Sequence, residues 1–419
     1  MNLSNAEVQA AARAEAFSMP IDQIDPGTPA YFENDTVGHY FERLRRDDPV
    51  HHCVSPLYGP YWSITRFQDI MHVDMNHGIF SSDWSKGGVS IFDLPTDQKM
   101  RNFISMDPPL HDVQRKAVSP IVAPGNLANM EGLIRERTCT VLDGLPRGET
   151  FNWVDRVSIE LTTLMLATLF DFPMEERRLL THWSDVATAI QSIDPRAPSP
   201  EQRMAELQKM AGYFTKLWNE RVNAAPRFDL ISMLAHNPAT RHMSPLEFMG
   251  NLVLLIVGGN DTTRNSMSGG LLALHNNPSE WNKLRANPGL AESMVSEIIR
   301  WQTPLAHMRR TALQDTEVAG KLIKKGDKVV MWYLSGNRDE ESIQNASQFI
   351  IDRPRVRQHL SFGFGIHRCV GNRLAEMQLR ILWEEILKRF PVIEVVGDPV
   401  RVRSPFVRGF TELPVRIPV

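Results

Sequence analysis

Apolar side chains recur at spacings of three and four residues along six long stretches of this chain. Such spacing places them on one face of a helix, so each stretch predicts an α-helix with a buried side. The predicted helices cover residues 127–145, 157–170, 200–223, 245–277, 290–301 and 370–389. This pattern indicates a mostly helical protein.

Strand-like patterns are fewer and shorter. Residues 61–64, 328–332 and 392–396 are rich in β-branched and aromatic side chains, which predicts strands. The chain has no internal repeat and no low-complexity block. We therefore predict a fold that is mostly α with small β-sheets, with one domain over residues 31–419 and an N-terminal extension over residues 1–30.

The longest predicted helix has a recognisable start. Ser244, Pro245 and Glu247 form a capping box with proline at the first helical position. From there the helix would run for about 33 residues, or about 50 Å. Because residues 252–257 are all apolar, we expect this helix to be central and buried.

The middle of this helix breaks the pattern. Gly258 and Gly259 weaken helices, and four polar residues follow them at 260–263. One interpretation is a packing notch at which another element approaches closely. The other is a groove with an acid, Asp261, beside an alcohol, Thr262, that could relay protons. The local pattern leaves both open.

Two further charged pairs lie at helical spacing. Glu297 and Arg300 would meet on one face of a helix, as would His111 and Arg115. Most such pairs are solvated and contribute little. The second pair could instead bind an anion.

Composition excludes several classes of protein. The chain has 419 residues, a formal charge of −3 and 42% hydrophobic residues, enough for a large core. Near-neutral charge argues against nucleic-acid binding. The N-terminus lacks the basic start and apolar run of a signal peptide, and the most apolar window, 252–259, is too short to span a bilayer. We expect a cytoplasmic protein.

The three cysteines lie far apart, which predicts neither a disulfide framework nor a zinc ribbon. Cys369 stands out because its stretch, LSFGFGIHRCVG at residues 360–371, places three glycines, a histidine and an arginine around the thiol. A helical pattern begins directly behind it, so the positive end of a helix dipole would point at the sulfur. These surroundings stabilise a thiolate.

Four roles compete for Cys369. It could be a small buried hydrophobe, although the surrounding charges disfavour this. It could be a nucleophile paired with His367, but residues two apart in an extended loop point to opposite sides. A zinc site would want four ligands, and only His367 is close in sequence. The remaining role is the axial thiolate of a haem iron, whose two propionates would need cationic donors. Candidates for those donors are His111, Arg115, Arg310 and His367.

The cysteine stretch resembles a known signature. Phe362-x-x-Gly365-x-x-x-Cys369-x-Gly371 is similar to the haem-binding motif of the cytochromes P450, with His367 at the basic position two residues before the cysteine.

Other segments resemble the same family. Glu297-x-x-Arg300 is similar to its ExxR pair, and Arg353 matches the third member of that network. Residues 258–263 resemble its (A/G)GxDTT segment. His111-x-x-x-Arg115 and Arg310 match propionate-binding positions. Each motif is weak alone, but their order across 107–371 is highly specific.

The resemblance covers essentially the whole chain and is strongest to the soluble bacterial alkane terminal hydroxylases, on residues 258–266, 301–310 and 359–369. It implies a single domain shaped like a triangular prism, with a long central helix crossing over the haem. It also implies that Cys369 ligates the iron of haem b, that Asp261 and Thr262 deliver protons, and that Glu297, Arg300 and Arg353 lock the fold. The implied haem-binding residues are His111, Arg115, Arg310, Phe362, His367 and Cys369.

For a terminal hydroxylase the resemblance implies a narrow apolar pocket. We expect its lining to comprise Leu254, Leu255, Val257, Gly258, Thr303, Leu305 and Phe406, although plain core packing explains each aliphatic residue as well. Loops 83–103 and 190–203 are where substrate-facing variation would lie.

The chain has no flavin or nicotinamide fingerprint, so electrons from NAD(P)H would come through separate partners. A ferredoxin and a ferredoxin reductase are expected, with docking near Arg115, Lys116, Arg368 and Arg373.

Fatty acids or terpenes such as limonene are alternative substrates, and a carboxylate substrate would need a cation such as Arg196, Arg203 or Arg408 at the entrance. A peroxygenase would not need the acid–alcohol pair, and a haem-based sensor would form no product.

Overall fold

The computed structural model describes residues 4–93 and 101–419. Helices dominate, as predicted. The α-helices are α1 Asn5–Ser18, α2 Pro29–Glu33, α3 Val37–Asp47, α4 Phe67–Met75, α5 Leu110–Val118, α6 Pro124–Asp143, α7 Glu160–Phe170, α8 Arg178–Thr188, α9 Pro200–Val222, α10 Leu230–His236, α11 Pro245–Asn276, α12 Pro278–Ala286, α13 Ala291–Gln302, α14 Tyr333–Gly336 and α15 Asn372–Arg389. No helix in these ranges is long and apolar enough to cross a membrane.

The strands form four small sheets. The largest has the order β1-β2-β8-β5-β3, in which β2 and β8 are parallel while β1–β2, β8–β5 and β5–β3 are antiparallel. The smaller sheets are β4-β12-β9, β6-β7 and β10-β11. The strands are β1 Val50–Ser55, β2 Gly59–Ile64, β3 Phe80–Ser81, β4 Thr150–Asn152, β5 Met308–Ala312, β6 Thr316–Val318, β7 Lys321–Ile323, β8 Lys328–Met331, β9 Glu394–Val395, β10 Val400–Arg401, β11 Phe410–Glu412 and β12 Pro414–Arg416.

Helix α11 organises the molecule. Its start is the predicted capping box: Ser244 Oγ accepts from the Glu247 N–H, and the Glu247 carboxylate accepts from the Ser244 N–H. Its 32 residues pack against α7, α8, α13 and α15. The first half contributes to one hydrophobic core with α7 to α10, and the second half to another with α13 and α15. The expectation of a central, buried helix is met.

All six predicted helices occur, with shifted ends. The largest local difference is before α7, where Val154–Ile159 form a π-helical turn. The predicted strand at 392–396 is shortened to β9. Several helices outside these six stretches were not predicted, among them α1, α3, α4, α8, α10 and α12. The apolar residues of α3, Val37, Phe41 and Leu44 among them, do recur at helical spacing.

The N-terminal residues pack on the rest of the protein. Helix α1, which falls in the predicted extension, lies against α3. Arg43 of α3 donates from Nη1 to the carbonyl oxygens of Ala16 (3.2 Å) and Phe17 (2.7 Å). This part of the chain is therefore docked rather than separate.

Candidate active site

A cavity of about 890 Å³ lies beside the middle of α11. Most of the residues predicted to form the site line it, although they come from distant parts of the chain. These are Arg115, Leu254, Leu255, Val257, Gly258, Asp261, Thr262, Leu305, Arg310, Phe362, His367, Cys369 and Phe406. Both predicted variable loops contribute, through residues such as Phe92 and Ile190; residues 94–100 of the first loop lie outside the described part of the chain.

Thr303 is not on the cavity wall, contrary to the prediction. Its Oγ1 donates to the Arg300 carbonyl at 2.7 Å and accepts from Asn337 Nδ2 at 2.8 Å. Thr303 follows the last residue of α13 with a left-handed φ of +43°. This turn directs the side chain into the network behind the wall instead of into the cavity.

The Cys369 thiol faces the cavity at the start of α15. The Cys369 N–H donates to the Phe362 carbonyl at 2.8 Å, which closes the loop. Burial raises the pKa of the thiol above its usual value, and the Gly371 N–H and the guanidinium of Arg115 oppose that rise. The backbone donor and the cation are the groups that the sequence predicted for stabilising a thiolate.

The glycines of the cysteine loop also serve contacts outside the cavity. Gly363 and Gly365 have φ values of +66° and +63°, where glycine is favoured. A Cβ on Gly365 would lie 2.6 Å from the backbone oxygen of Asp74 in α4. These glycines therefore let the loop approach α4, and not only a ligand in the cavity.

His367 lines the cavity and contacts His111, which does not line it. The rings of His111 and His367 have centroids 4.4 Å apart. Nε2 of His111 and both ring nitrogens of His367 are buried without a hydrogen-bond partner among the described residues. Burial and the charge of Arg310 lower the pKa of His367 to about 2, so its ring is neutral and keeps one N–H to donate. With no bond to His367, Cys369 does not form the Cys–His pair considered above.

Asp74 holds Arg310 in place, a contact that the sequence did not predict. Its Oδ1 accepts from Arg310 Nη2 at 2.6 Å, and its Oδ2 accepts from Tyr333 Oη and the Phe364 N–H, both at 2.8 Å. Asp74 is 2% exposed. The only signal in the sequence is an acid at an inward position of an amphipathic helix, which does not identify its partner.

The two glycines of α11 face different surroundings. A Cβ on Gly259 would lie 2.7 Å from Leu166 Cδ2 in α7, whereas a Cβ on Gly258 would meet no heavy atom of the described residues within 4 Å. The helix is thus notched at Gly259 for close packing and open at Gly258 toward the cavity. The packing notch therefore lies at Gly259 and the open groove at Gly258, while the proton relay stays a prediction.

Asp261 is buried in a hydrogen-bonded chain that reaches the surface. Its Oδ1 accepts from Asn260 Nδ2 (2.9 Å), Ser184 Oγ (3.1 Å) and Arg264 Nη2 (2.9 Å). Arg264 Nη2 also donates to Asp185, whose side chain is 52% exposed. Burial raises the pKa of Asp261 to about 6, against the opposing charge of Arg264.

Thr262 completes the acid–alcohol pair. Its Oγ1 lies on the cavity wall and donates to the Gly258 carbonyl at 2.8 Å. The sequence identified Asp261 and Thr262 but not the α8 residues Ser184 and Asp185, because their contact depends on how α8 crosses α11.

Glu297 forms the predicted network with two arginines. Its carboxylate accepts from Arg300 at 2.7 and 2.8 Å and from Arg353 at 3.2 and 3.4 Å. Both Glu297 and Arg300 have no exposed surface. Arg300 also donates to three backbone carbonyls, including that of Asn337 at 2.6 Å. The pair is buried and not a solvated surface pair.

His307 joins two segments of the cavity wall and was not predicted. It accepts at Nε2 from the Ile91 N–H (3.2 Å) and donates from Nδ1 to the Pro405 carbonyl (2.8 Å). Burial lowers its pKa to about 4, so the ring is neutral. Its position next to Phe406, with ring centroids 5.3 Å apart, fixes that aromatic wall residue.

Comparison with known proteins identifies the family. The family model described as Cytochrome P450 matches residues 37–416. The chain is a cytochrome P450. Linalool 8-monooxygenase of Pseudomonas putida is 36% identical, over 94% of this chain and 99% of that protein.

Solved structures of this P450 family agree with the fold. Cytochrome P450-153 from Novosphingobium aromaticivorans has a TM-score of 0.88 at 48% identity, covering 94% of this chain and 98% of that one. CYP153D17 from Sphingomonas sp. PAMC 26605 has a TM-score of 0.89 at 47% identity, covering 96% of this chain and all of that one, 100%. The predicted family and fold are confirmed, and this P450 is a monooxygenase.

The family carries a haem, and the cavity of this P450 fits one. A thiol on the wall can ligate iron. The unpartnered ring nitrogens of His111 and His367, with Arg115 and Arg310 close by, suit the two carboxylates of the porphyrin. The described residues contain no cluster of three or more His, Cys, Asp or Glu that could hold a metal ion, as the zinc alternative would have needed.

Substituting alanine for Gly258 and for Gly259 should change the stability of the protein in opposite directions. Gly258→Ala should stabilise the protein by about 0.5–1 kcal/mol, because alanine is the better helix former and meets no neighbour. Gly259→Ala should lose this gain to overpacking against Leu166, which costs about 1–3 kcal/mol. Thermal unfolding of both variants measures the difference, and a Gly259→Ala protein as stable as Gly258→Ala would show that no notch exists.

Proposed function

We propose that this P450 inserts one oxygen atom from O₂ into the terminal C–H bond of medium-chain alkanes, giving primary alcohols. The observation that supports it is the apolar wall near Cys369. Leu254, Leu255 and Val257 of α11 line it, and Leu305 and Phe406 come from other segments. An apolar chain offers few polar handles, so such a wall must select it by shape. The resemblance to alkane terminal hydroxylases and the likeness to two CYP153 structures point the same way.

Fatty acids are the second candidate, because a cation lines the cavity without a carboxylate partner. Arg203 donates to the carbonyls of Val186 (3.2 Å) and Ala187 (2.8 Å) and forms no ion pair with any described residue. Arg196 also lines the cavity but is already paired with Asp194. Arg408 is not on this wall. A fatty acid could therefore place its carboxylate at Arg203.

In the proposed mechanism Cys369 would ligate the haem, and His111, Arg115, Arg310 and His367 would bind its propionates. The haem would supply the activation of O₂. Asp261 and Thr262 would supply protons: the Thr262 hydroxyl faces the cavity, and Asp261 is linked through Arg264 to the exposed Asp185.

Substrate titration of the ferric protein separates the candidates. We expect octane to give a larger spin-state shift and tighter binding than octanoic acid or limonene. Arg203→Gln should leave octane binding unchanged and is the control for carboxylate recognition. Tighter binding of octanoic acid that is lost in Arg203→Gln would replace the alkane with a fatty acid.

Smaller residues on the wall should move the site of oxidation. Leu254→Ala and Leu305→Ala each remove side-chain volume near the substrate, so internal positions of the chain gain access and the fraction of 1-alcohol should fall. Leu322→Ala, an exposed leucine outside the cavity, is the matched control. Gas chromatography of the octanol isomers measures the ratio, and an unchanged ratio in both variants would count against this lining.

Removing the Asp261 proton should slow turnover. Asp261→Asn should reduce product formation by roughly 100-fold, the low end of what a positioned proton-transfer group contributes. Since the folded pKa is about 6, the protonated fraction of Asp261 falls as pH rises above this value, and turnover of the parent should fall with it. The pH dependence should flatten in the variant.

Product per NADH at several pH values, with saturating redox partners, measures the Asp261 effect. Asp155→Asn removes an exposed carboxylate paired with Arg178 and serves as the control. A variant with unchanged rate and pH profile would remove Asp261 from the relay.

We infer that electrons come from NAD(P)H through a ferredoxin reductase and a ferredoxin that docks on the cysteine side. Lys116, Arg368 and Arg373 are exposed there. Arg115 is turned inward instead, where Nη2 donates to the Arg368 carbonyl. Three exposed cations on one face suit an acidic partner.

Charge reversal tests this docking. Arg373→Glu should raise the ferredoxin concentration for half-maximal turnover by about three- to tenfold and weaken its salt dependence, because rim charges act mainly on association. Arg241→Glu makes the same charge change at an exposed arginine elsewhere. Stopped-flow reduction that is insensitive to salt, or equal effects of both variants, would argue for a different docking face.

A further inference from the structure

A second cavity, of about 250 Å³, lies between α3 and the C-terminal half of α11 and is lined by arginines. We call it the cationic cavity. Its charged lining residues are Arg45, Arg338, Arg401, Arg408 and Asp35. Four guanidinium groups thus face a single carboxylate.

Asp35 forms ion pairs with two of these arginines. Its Oδ2 pairs with Arg401 Nη2 and its Oδ1 with Arg408 Nη2, both at 2.8 Å. These two cations hold the pKa of Asp35 below its usual value despite burial. Neither carboxylate oxygen of Asp35 forms an ion pair with Arg45 or Arg338.

Arg45 and Arg338 have neutral partners instead. Arg45 donates to Ser335 Oγ at 2.8 Å, and Arg338 donates to the Trp301 carbonyl at 2.8 Å and lies over the Trp301 ring. Neither forms an ion pair with any carboxylate in the described ranges. Both arginines are partly exposed, and a partly buried guanidinium without a counter-ion is less favourable than a paired one.

The electrostatics agree with this charge imbalance. Burial lowers the pKa of Arg45, although Asp339, Glu42 and Glu340 oppose it from a distance. The pKa of Arg338 is lowered well below its usual value by burial and then by the charges of Arg300 and Arg408, against Glu297 and Asp35. An anion in the cavity would relieve both arginines.

We propose that the cationic cavity binds a small oxyanion of the phosphate type. Guanidinium groups match the geometry of phosphate oxygens and donate two bonds at once. Phe41, Leu272 and Phe410 supply apolar parts of the remaining wall, and Asn276, Asn277 and Gln302 supply polar parts. Inorganic phosphate is the probe that carries this chemistry with no other recognition.

An anion there would act on the active-site wall. Arg401 belongs to β10 and Arg408 precedes β11, and the segment between them carries Phe406 and Val407 to the large cavity. Both arginines line the cationic cavity, so its occupant would steady this segment. Occupancy should be visible as slower amide exchange over residues 400–412.

Calorimetry of the haem-loaded protein tests the site. Phosphate should bind saturably. Chloride at the same ionic strength should give only nonspecific heat. Arg45→Gln should weaken binding by about tenfold, the loss of one charge-assisted contact, whereas Arg241→Gln, at an exposed arginine, should not. Absence of saturable binding, or equal loss in both variants, overturns the proposal.

A carboxylate built into the cavity gives an independent test. Leu272→Glu should abolish phosphate binding and raise the melting temperature without phosphate, since the new side chain would neutralise the arginines. Leu272→Gln has the same size without the charge and should retain binding. Equal phosphate binding by the two variants would overturn the proposed location. So would phosphate protection of amides that all lie outside α3 and residues 400–412.

Discussion

The buried carboxylate of Glu297 is the interaction on which the rest of the site depends. It neutralises Arg300, which is free to donate to the carbonyl oxygens of Asn337, Ala346 and Gln348. Asn337 in turn bonds to the Leu360 N–H at 2.6 Å and to Ser361 Oγ at 2.9 Å. A buried ion pair is retained only when its remaining hydrogen bonds are satisfied. Here those bonds fix the backbone that leads into the cysteine loop, so the position of the thiol follows from a carboxylate on α13.

Helix α11 has different surroundings at its two adjacent glycines, Gly258 and Gly259. Close packing against α7 requires a missing side chain at Gly259, whereas a Cβ on Gly258 would meet no heavy atom of the described residues within 4 Å. Asp261 and Thr262 are tolerated because each finds a partner: Asp261 binds Arg264 and Ser184, and the Thr262 hydroxyl bonds back to a carbonyl of its own helix. The contact of Asp261 with Ser184 of α8 thus helps to offset the weak local helix propensity.

The segment between β10 and β11 connects the two cavities of the protein. Its inner residue Phe406 is held by His307, and its two arginines, Arg401 and Arg408, are held by Asp35. The wall residue Phe406 and the two arginines paired with Asp35 therefore belong to one stretch of chain.

The sequence by itself determined the six long helices, because the spacing of apolar residues depends on one element alone, and it determined the family through the order of several short motifs. Spacing of three or four residues reports one helix face, and so Glu297 with Arg300 was predictable. Tertiary structure alone decided which faces meet. The partner of Arg310 is Asp74, 236 positions away, Thr303 turns from the cavity at a left-handed residue, and His307 bridges Ile91 and Pro405. Such contacts depend on the rotation of each helix and the path of each loop, which sequence spacing does not encode.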